Sequence, residues 1–432
     1  MLGRIGVRTV EDLFRDVPAA NRLRQPLNLP AAMSEPELLA HLNALAAENH
    51  GCDELVCFLG GGAYDHFIPA VVDALAGQSE FVTAYTPYQA EASQGSLQAF
   101  YEYQTLICQL TGMDVSNASL YDGASAAAEA VLMARAITGR RRLVISAAVH
   151  PETRQVLETY VRNLPIDLAT VPAPDGQTDL DGLRRQANED TAAVFVQSPN
   201  VFGCVEALEA AGTAIHETGG LLIVSVDPIA CGLLKSPGAC GADIVVGEGQ
   251  PLGIPLSYGG PYLGFMACRD AHLRKMPGRL VGATQDKEGR RGFCLTLQTR
   301  EQHIRRERAT SNVCTNQGLL ALRAAIYLAA VGRTGLAQIA SLCLAKSHYA
   351  AARIAELDGF ALRFDAPFFK EFVVRTEKDV SQALRRPRER GILAGVPLGR
   401  WFPEMADCFL VAVTEKRTKA EIDELTETLR EV

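Results

Sequence analysis

Four short stretches carry residues that could act together on one flat, anionic molecule. In LYDGASAAAEA, Leu120 to Ala130, a polar turn opens directly into a helix of small residues. The first-turn N–H groups of a helix lack helical partners, and the dipole favours an anion there. Gly123 permits close backbone approach and Ser125 adds a hydroxyl. The stretch is either a phosphate cradle or an ordinary Asp-Gly turn with a helix cap. His150 closes the strand-like LVISAAV. Its imidazole can stack on a flat ring, or His150-Pro151 simply opens the next helix. Asp227 closes LLIVSVD, and ligands of open α/β sheets gather outside such strand ends. A carboxylate there can hold a pyridine nitrogen in its protonated form and make the ring an electron sink. The plainer alternative is a strand terminator before Pro228.

The fourth stretch is GADIVVGEGQPLGIPLSYGGPYLGF, Gly241 to Phe265. A buried-looking strand, Ile244 to Val246, runs into the turn Glu248-Gly249-Gln250-Pro251. Pyridoxal-phosphate enzymes often carry the cofactor-bonding lysine at such a strand end. Here Gln250 stands there, and no lysine occurs between Lys235 and Lys275. A Schiff base needs a primary amine that can lose its proton, which an amide does not supply.

These stretches need a scaffold that brings strand ends to one edge. LQAFYEYQTLICQLTG and ASAAAEAVLMARAITG are amphipathic helices ended by Gly112 and Gly139. RRLVISAAV, TAAVFVQSPN, GGLLIVSVDP, ADIVVGEG and YLGFMACR read as buried strands, most of them separated by helical segments. Near-continuous apolar strands of this kind imply a parallel or mixed sheet covered on both faces. Before them, MSEPELLAHLNALAAEN predicts a helix capped by Ser34, with Leu38, Leu39, Leu42 and Leu45 on one face. Near the end, FFKEFVVRT and DCFLVAVTE read as strands. TKAEIDELTETL reads as a helix with a Thr418/Glu421 capping box. The expected organisation is an N-terminal helical arm (1–65), a large α/β domain (66–330) and a small C-terminal α+β domain (331–432).

The 432 residues are 48% hydrophobic and 21% charged, which suits a folded globular chain rather than a disordered one. The net charge of −8 weighs against nucleic acid as the main partner. The eleven cysteines show no zinc-site spacing and mostly sit in apolar runs, so no metal is expected and a reducing compartment is. GLLALRAAIYLAAVG looks too short for a membrane span and contains Arg323. The N-terminal MLGRIGVRTVEDLF lacks a signal pattern, which leaves the cytoplasm as the expected location.

Several long stretches together resemble one family, the glycine decarboxylase P-protein of the glycine cleavage system, in its two-subunit form. They are YTPYQAEASQGSLQAFYEYQTLICQLTGMDVSNASLYDGASAAAEA, GGPYLGFMACR, TREQHIRRERATSNVCTNQ and LVAVTEKRTKAEIDEL. The resemblance implies a fold-type I pyridoxal-phosphate-dependent transferase-like fold. It implies an α2β2 heterotetramer whose second subunit carries the Schiff-base lysine and pyridoxal phosphate. Glycine would be decarboxylated there, and its aminomethyl group passed to the lipoyl arm of the H-protein. Gln250 then marks a site without its amine, with Gly123, Ser125, His150 and Asp227 as a vestigial pocket. Ser257, Gly259 and Gly260 would reach the partner's cofactor phosphate, or form a tight turn only. Tyr85, Tyr88 and Gln89 would line the substrate pocket, or a surface loop. Arg300, Arg305, Arg306 and Arg308, at helical spacing, would form a basic surface, with no individual roles assigned. Two alternatives stand beside this expectation: a self-sufficient enzyme using Lys235, and a non-catalytic scaffold.

Overall fold

The computed structural model describes residues 1–23 and 25–432. The chain forms two compact units, Met1–Gly51 and Cys52–Val432. The first contains the helix Glu35–Ala46, whose Ser34 and Glu37 complete a reciprocal capping box. Leu38, Leu39, Leu42 and Leu45 share its apolar face and all are exposed.

The second unit is built on a seven-stranded sheet. Across it the strands run Val115–Ser116, Gly264–Cys268, Ile244–Glu248, Leu221–Val226, Thr191–Ser198, Arg142–Ser146 and Asp167–Val171. All neighbours from Ile244–Glu248 to Asp167–Val171 are parallel, while Gly264–Cys268 pairs antiparallel on both its sides. The near-continuous apolar strands are explained by burial on both faces. Val194, Val196, Leu222, Val224 and Val245 enter the core on one side. Ala193, Phe195, Leu221, Ile223, Ile244 and Val246 enter the core on the other. Each fully buried Val, Ile or Phe of this set contributes about 1.5–3 kcal/mol of transfer free energy. The period of two divides the strands between two cores, so a slip by one residue would be costly.

The helices expected to end at Gly112 and Gly139 do so, as Gln94–Thr111 and Gly123–Thr138, with each glycine in the left-handed region. A second, antiparallel sheet is ordered Phe360–Leu362, Glu371–Thr376, Cys408–Ala412 and Val396–Pro397. The helix Lys419–Arg430, with the expected Thr418/Glu421 capping box, packs Ile422, Leu425 and Leu429 into the same core.

The apolar segment after Gly318 departs from expectation, because it is not short. Helix Gly318–Ala355 spans 38 residues and is long and apolar enough to cross a membrane by length and composition. It breaks at Gly332 (φ 60°, ψ −179°), and Ala321, Ala324, Tyr327, Ala340 and Cys343 are buried in the main core.

Candidate functional site

Because five neighbouring strands are parallel, their C-terminal ends meet at one edge, and the helix from Gly123 starts there too. The edge carries a cavity of about 340 Å³ whose wall includes Gly61, Tyr64, Gly123, His150, Asp227, Glu248 and Pro251. Three of the sequence-predicted residues, Gly123, His150 and Asp227, are thus brought together. Ser125 stays out of the wall. Its N–H and hydroxyl both donate to Asp122, which caps the helix (2.7 and 3.1 Å).

Gln250 is a buried clamp. Its Oε1 accepts from the Tyr64 N–H (2.9 Å), and its Nε2 donates to the carbonyls of Tyr64 (3.1 Å) and Ile254 (2.8 Å). One amide supplies both an acceptor and a donor, which a lysine does not. Gln250 therefore ties the glycine-rich segment at Gly60–Gly62 to the strand end. That segment packs closely: a Cβ on Gly60 would lie 2.1 Å from Oε1 of Glu371.

The anion cradle is filled from within. Glu248 accepts from the N–H groups of Gly123 (2.9 Å), Leu263 (2.9 Å) and Gln250 (3.0 Å). A Cβ on Gly123 would lie 3.0 Å from the Glu248 backbone nitrogen, so this glycine makes room for the strand end. Burial pushes the Glu248 carboxyl up to about 7, against the three N–H bonds that favour its charged form.

Asp227 is also engaged. Its Oδ2 lies 2.6 Å from Nζ of Lys370, at the edge of the C-terminal sheet. The same Nζ lies 3.0 Å from His66 Nε2 and 3.5 Å from the centre of the Tyr64 ring. His66 Nε2 must accept from the ammonium, so Nδ1 carries the proton and donates to Glu415 (2.6 Å). Burial, reinforced by the Lys370 charge, holds His66 below its ordinary value and keeps it neutral. Burial works to raise Glu415, but the His66 bond and the Phe67 N–H outweigh it and hold the carboxyl down at about 2. Glu371, next to Lys370, accepts from the Gly61 N–H (2.7 Å) and the Tyr64 hydroxyl (2.8 Å). Its own burial pushes it up to about 7.

The fit to pyridoxal phosphate fails at three points. The Glu248 carboxylate takes the N–H groups that would hold a phosphate, the Lys370 ammonium sits on the Asp227 carboxylate that would take a ring nitrogen, and an amide stands at Gln250 where a Schiff base would need an amine. His150 alone presents a suitable wall. It packs edge-on against Trp401, with centroids 5.0 Å apart, and its buried Nε2 has no hydrogen-bond partner among the described residues.

The other predicted residues lie elsewhere. Lys235 is exposed and paired with Glu209, on a separate cavity. Tyr85 is 91% exposed and borders a small cavity of about 160 Å³ with Phe81 and Leu319, away from the strand-end pocket. Tyr88 accepts from the buried Arg279 guanidinium (3.3 Å), and Gln89 is exposed. Ser257, Tyr258, Gly259 and Gly260 form an outward loop with positive φ throughout, including two non-glycine residues (43° and 55°). The arginine segment is not one helix. Only Gln302–Arg305 is α-helical, followed by a 3₁₀ turn with Arg306 at φ 53°. Arg305, Arg306 and Arg308 are exposed. Arg300 instead donates to the carbonyls of Met276, Gly278 and Leu297, which fixes a loop.

Sequence reasoning missed Glu248, Lys370, Glu371, His66 and Tyr64. The available signal was charge in an apolar run: FFKEFVV places two ionisable residues where a buried strand was already expected. Residues with that contradiction need partners, and these have them.

The parallel sheet, the strand-end pocket with its aspartate and the small antiparallel domain define a class, the fold of type I pyridoxal-phosphate enzymes. A sphingosine-1-phosphate lyase from Burkholderia pseudomallei shares this fold with a TM-score of 0.68 at 17% identity, over 96% of this chain and 94% of that one. The chain belongs to the glycine cleavage system P-protein family, whose sequence model matches residues 1–429. It is 53% identical over 429 residues to a probable glycine dehydrogenase (decarboxylating) subunit 1 of Desulforamulus reducens, covering 99% of this chain and 96% of the relative. The protein of the same description in Moorella thermoacetica is 52% identical over 430 residues, covering 100% and 96%. A crystal structure of glycine decarboxylase (P-protein) in inhibitor-bound form superposes with a TM-score of 0.93 at 44% identity, over 100% of this chain and 97% of that one.

Proposed function

We propose that this chain is the lysine-less subunit 1 of glycine dehydrogenase (decarboxylating). It pairs with a second subunit that holds pyridoxal phosphate through a lysine. That subunit decarboxylates glycine and delivers the aminomethyl group to the lipoyl arm of the H-protein. The observation that carries this is Gln250: the residue at the strand end is an amide, buried and satisfied by three hydrogen bonds. The family membership and the subunit 1 name of the relatives support the pairing.

This chain's part is to complete the assembly. The exposed leucine face of Glu35–Ala46 is apolar surface that a partner would cover. The loop Ser257–Gly260 projects outward in a strained conformation, which is characteristic of segments held for function. Its backbone suits contact with the partner's cofactor phosphate. In the α2β2 arrangement the chain also supplies part of the channel for the lipoyl arm, within a reducing cytoplasm.

The test uses the purified chain, the purified lysine-bearing subunit and their mixture. Glycine-dependent CO2 release and the absorbance of bound cofactor are expected in the mixture and not in this chain alone. A lone chain that turns yellow, is trapped by borohydride at one of its own lysines and releases CO2 from glycine would overturn the proposal.

A further inference from the structure

Pyridoxal phosphate offers a receptor two charged handles, a phosphate dianion and a ring nitrogen able to hold a proton. This chain retains a receptor for each. The Gly123, Gln250 and Leu263 N–H groups converge on one point, and Asp227 faces the pocket. Both receptors are engaged by the chain's own side chains, and each occupant carries the sign of the handle it displaces. We infer that Glu248 and Lys370 are built-in occupants of the two cofactor seats, and that they exclude pyridoxal phosphate from this chain independently of the missing lysine at position 250.

The geometry supports each half separately. Glu248 takes one N–H on Oε2 (Gly123) and two on Oε1 (Gln250, Leu263), all at 2.9–3.0 Å, so no donor of this set is left for a phosphate oxygen. Asp122 adds a second carboxylate at the same helix start. A phosphate entering there would meet both acids, and like charges about 4 Å apart repel strongly wherever water is scarce. Lys370 holds three contacts, with Asp227, His66 and the Tyr64 ring, and its residue is only 1% exposed. A protonated ring nitrogen would have to displace this ammonium from the acceptor it needs. Nor does Lys370 replace the missing amine. The aldehyde carbon lies para to the ring nitrogen, so an amine bonded to it does not at the same time sit on the ring-nitrogen acceptor. The exclusion is a property of this pocket alone and holds whether or not a partner subunit carries the cofactor.

The test compares the isolated full chain with E248A, K370M and the double variant E248A/K370M. Inorganic phosphate and pyridoxal phosphate are the probes, followed by melting temperature and by ³¹P line broadening. The wild-type chain is expected to show no saturable response to either. E248A exposes three buried donors, so it should melt lower without phosphate and recover on adding either probe. E248A/K370M should bind pyridoxal phosphate at least tenfold more tightly than E248A. Saturable binding by the wild-type chain would overturn the inference, as would an E248A response to phosphate no greater than wild type. Should E248A fold only with phosphate present, that dependence itself supports the assignment. Should it fail to fold under any condition, E248S, whose short side chain withdraws the carboxylate from the three N–H groups, gives the same comparison, and an E248S response equal to wild type overturns it.

Discussion

The Nζ of Lys370 lies 2.6 Å from Oδ2 of Asp227, and both side chains are almost fully withdrawn from water. Asp227 follows a strand of the parallel sheet, and Lys370 precedes a strand of the antiparallel one. The pair therefore joins the two sheets through a buried charge contact. Removing one partner leaves an uncompensated buried ion, whereas removing both does not. K370M should lose about 3–5 kcal/mol in urea denaturation, and K370M/D227N should recover a large part of that. Strictly additive single effects would show that the two residues do not act as a pair.

Gln250 makes a second prediction, about architecture. Q250A leaves the Tyr64 N–H and the Ile254 carbonyl unpaired, while the Tyr64 carbonyl keeps the His66 N–H, and should destabilise the chain by about 1–3 kcal/mol. Q250E is expected to be worse, because a carboxylate has no N–H to give to the Tyr64 and Ile254 carbonyls. Hydrogen exchange at the Tyr64 amide reads this directly, and unchanged protection in Q250A would contradict the clamp.

The carboxyls predict a pH dependence. Burial raises Glu248 and Glu371 from 4.5 to about 7. For a raised acid the folded state binds the extra proton. Its stabilising contribution is full below pH 4.5 and is lost as pH rises through about 7. Each tenfold difference in proton affinity between the folded and unfolded chain corresponds to about 1.4 kcal/mol. Glu415 acts oppositely: held down at about 2, it stabilises above pH 4.5 and loses that as pH falls towards 2. Melting temperature should fall between pH 5 and 7.5, and E248Q should flatten that decline. An identical slope in E248Q would exclude Glu248 as a source.

Lys235 should be silent. It is exposed, and its pairing with Glu209 is a surface contact. K235M is expected to leave the melting temperature and the turnover of the assembled enzyme unchanged. Loss of turnover in K235M would restore this lysine as a candidate amine.

The loop gives a prediction in the complex. Gly259 and Gly260 have φ of 105° and 132°, which other residues rarely adopt. G259A and G260A should leave the free chain folded and weaken cofactor retention by the assembled enzyme severalfold, measured by dialysis. Unchanged retention would reduce the loop to a turn.

The sequence by itself determined the central strands and their flanking helices, the sheet class and the absence of an amine at position 250. Those follow from local signals: near-continuous apolar strands, glycine stops at Gly112 and Gly139, and residue type. It also placed Gly123, His150 and Asp227 at strand and helix ends, which parallel topology then had to collect at one edge. Only the tertiary structure decided what fills that edge. Glu248 belonged to a turn, and Lys370 lies far along the chain from Asp227, so nothing in spacing linked them. The pairing arises because burying a charge requires an opposite charge or donors nearby, and folding is what chooses which ones. The arginine segment did not form one helix: Arg300 is held by three loop carbonyls, and Arg305, Arg306 and Arg308 are in water, so no packing held them to a helical period.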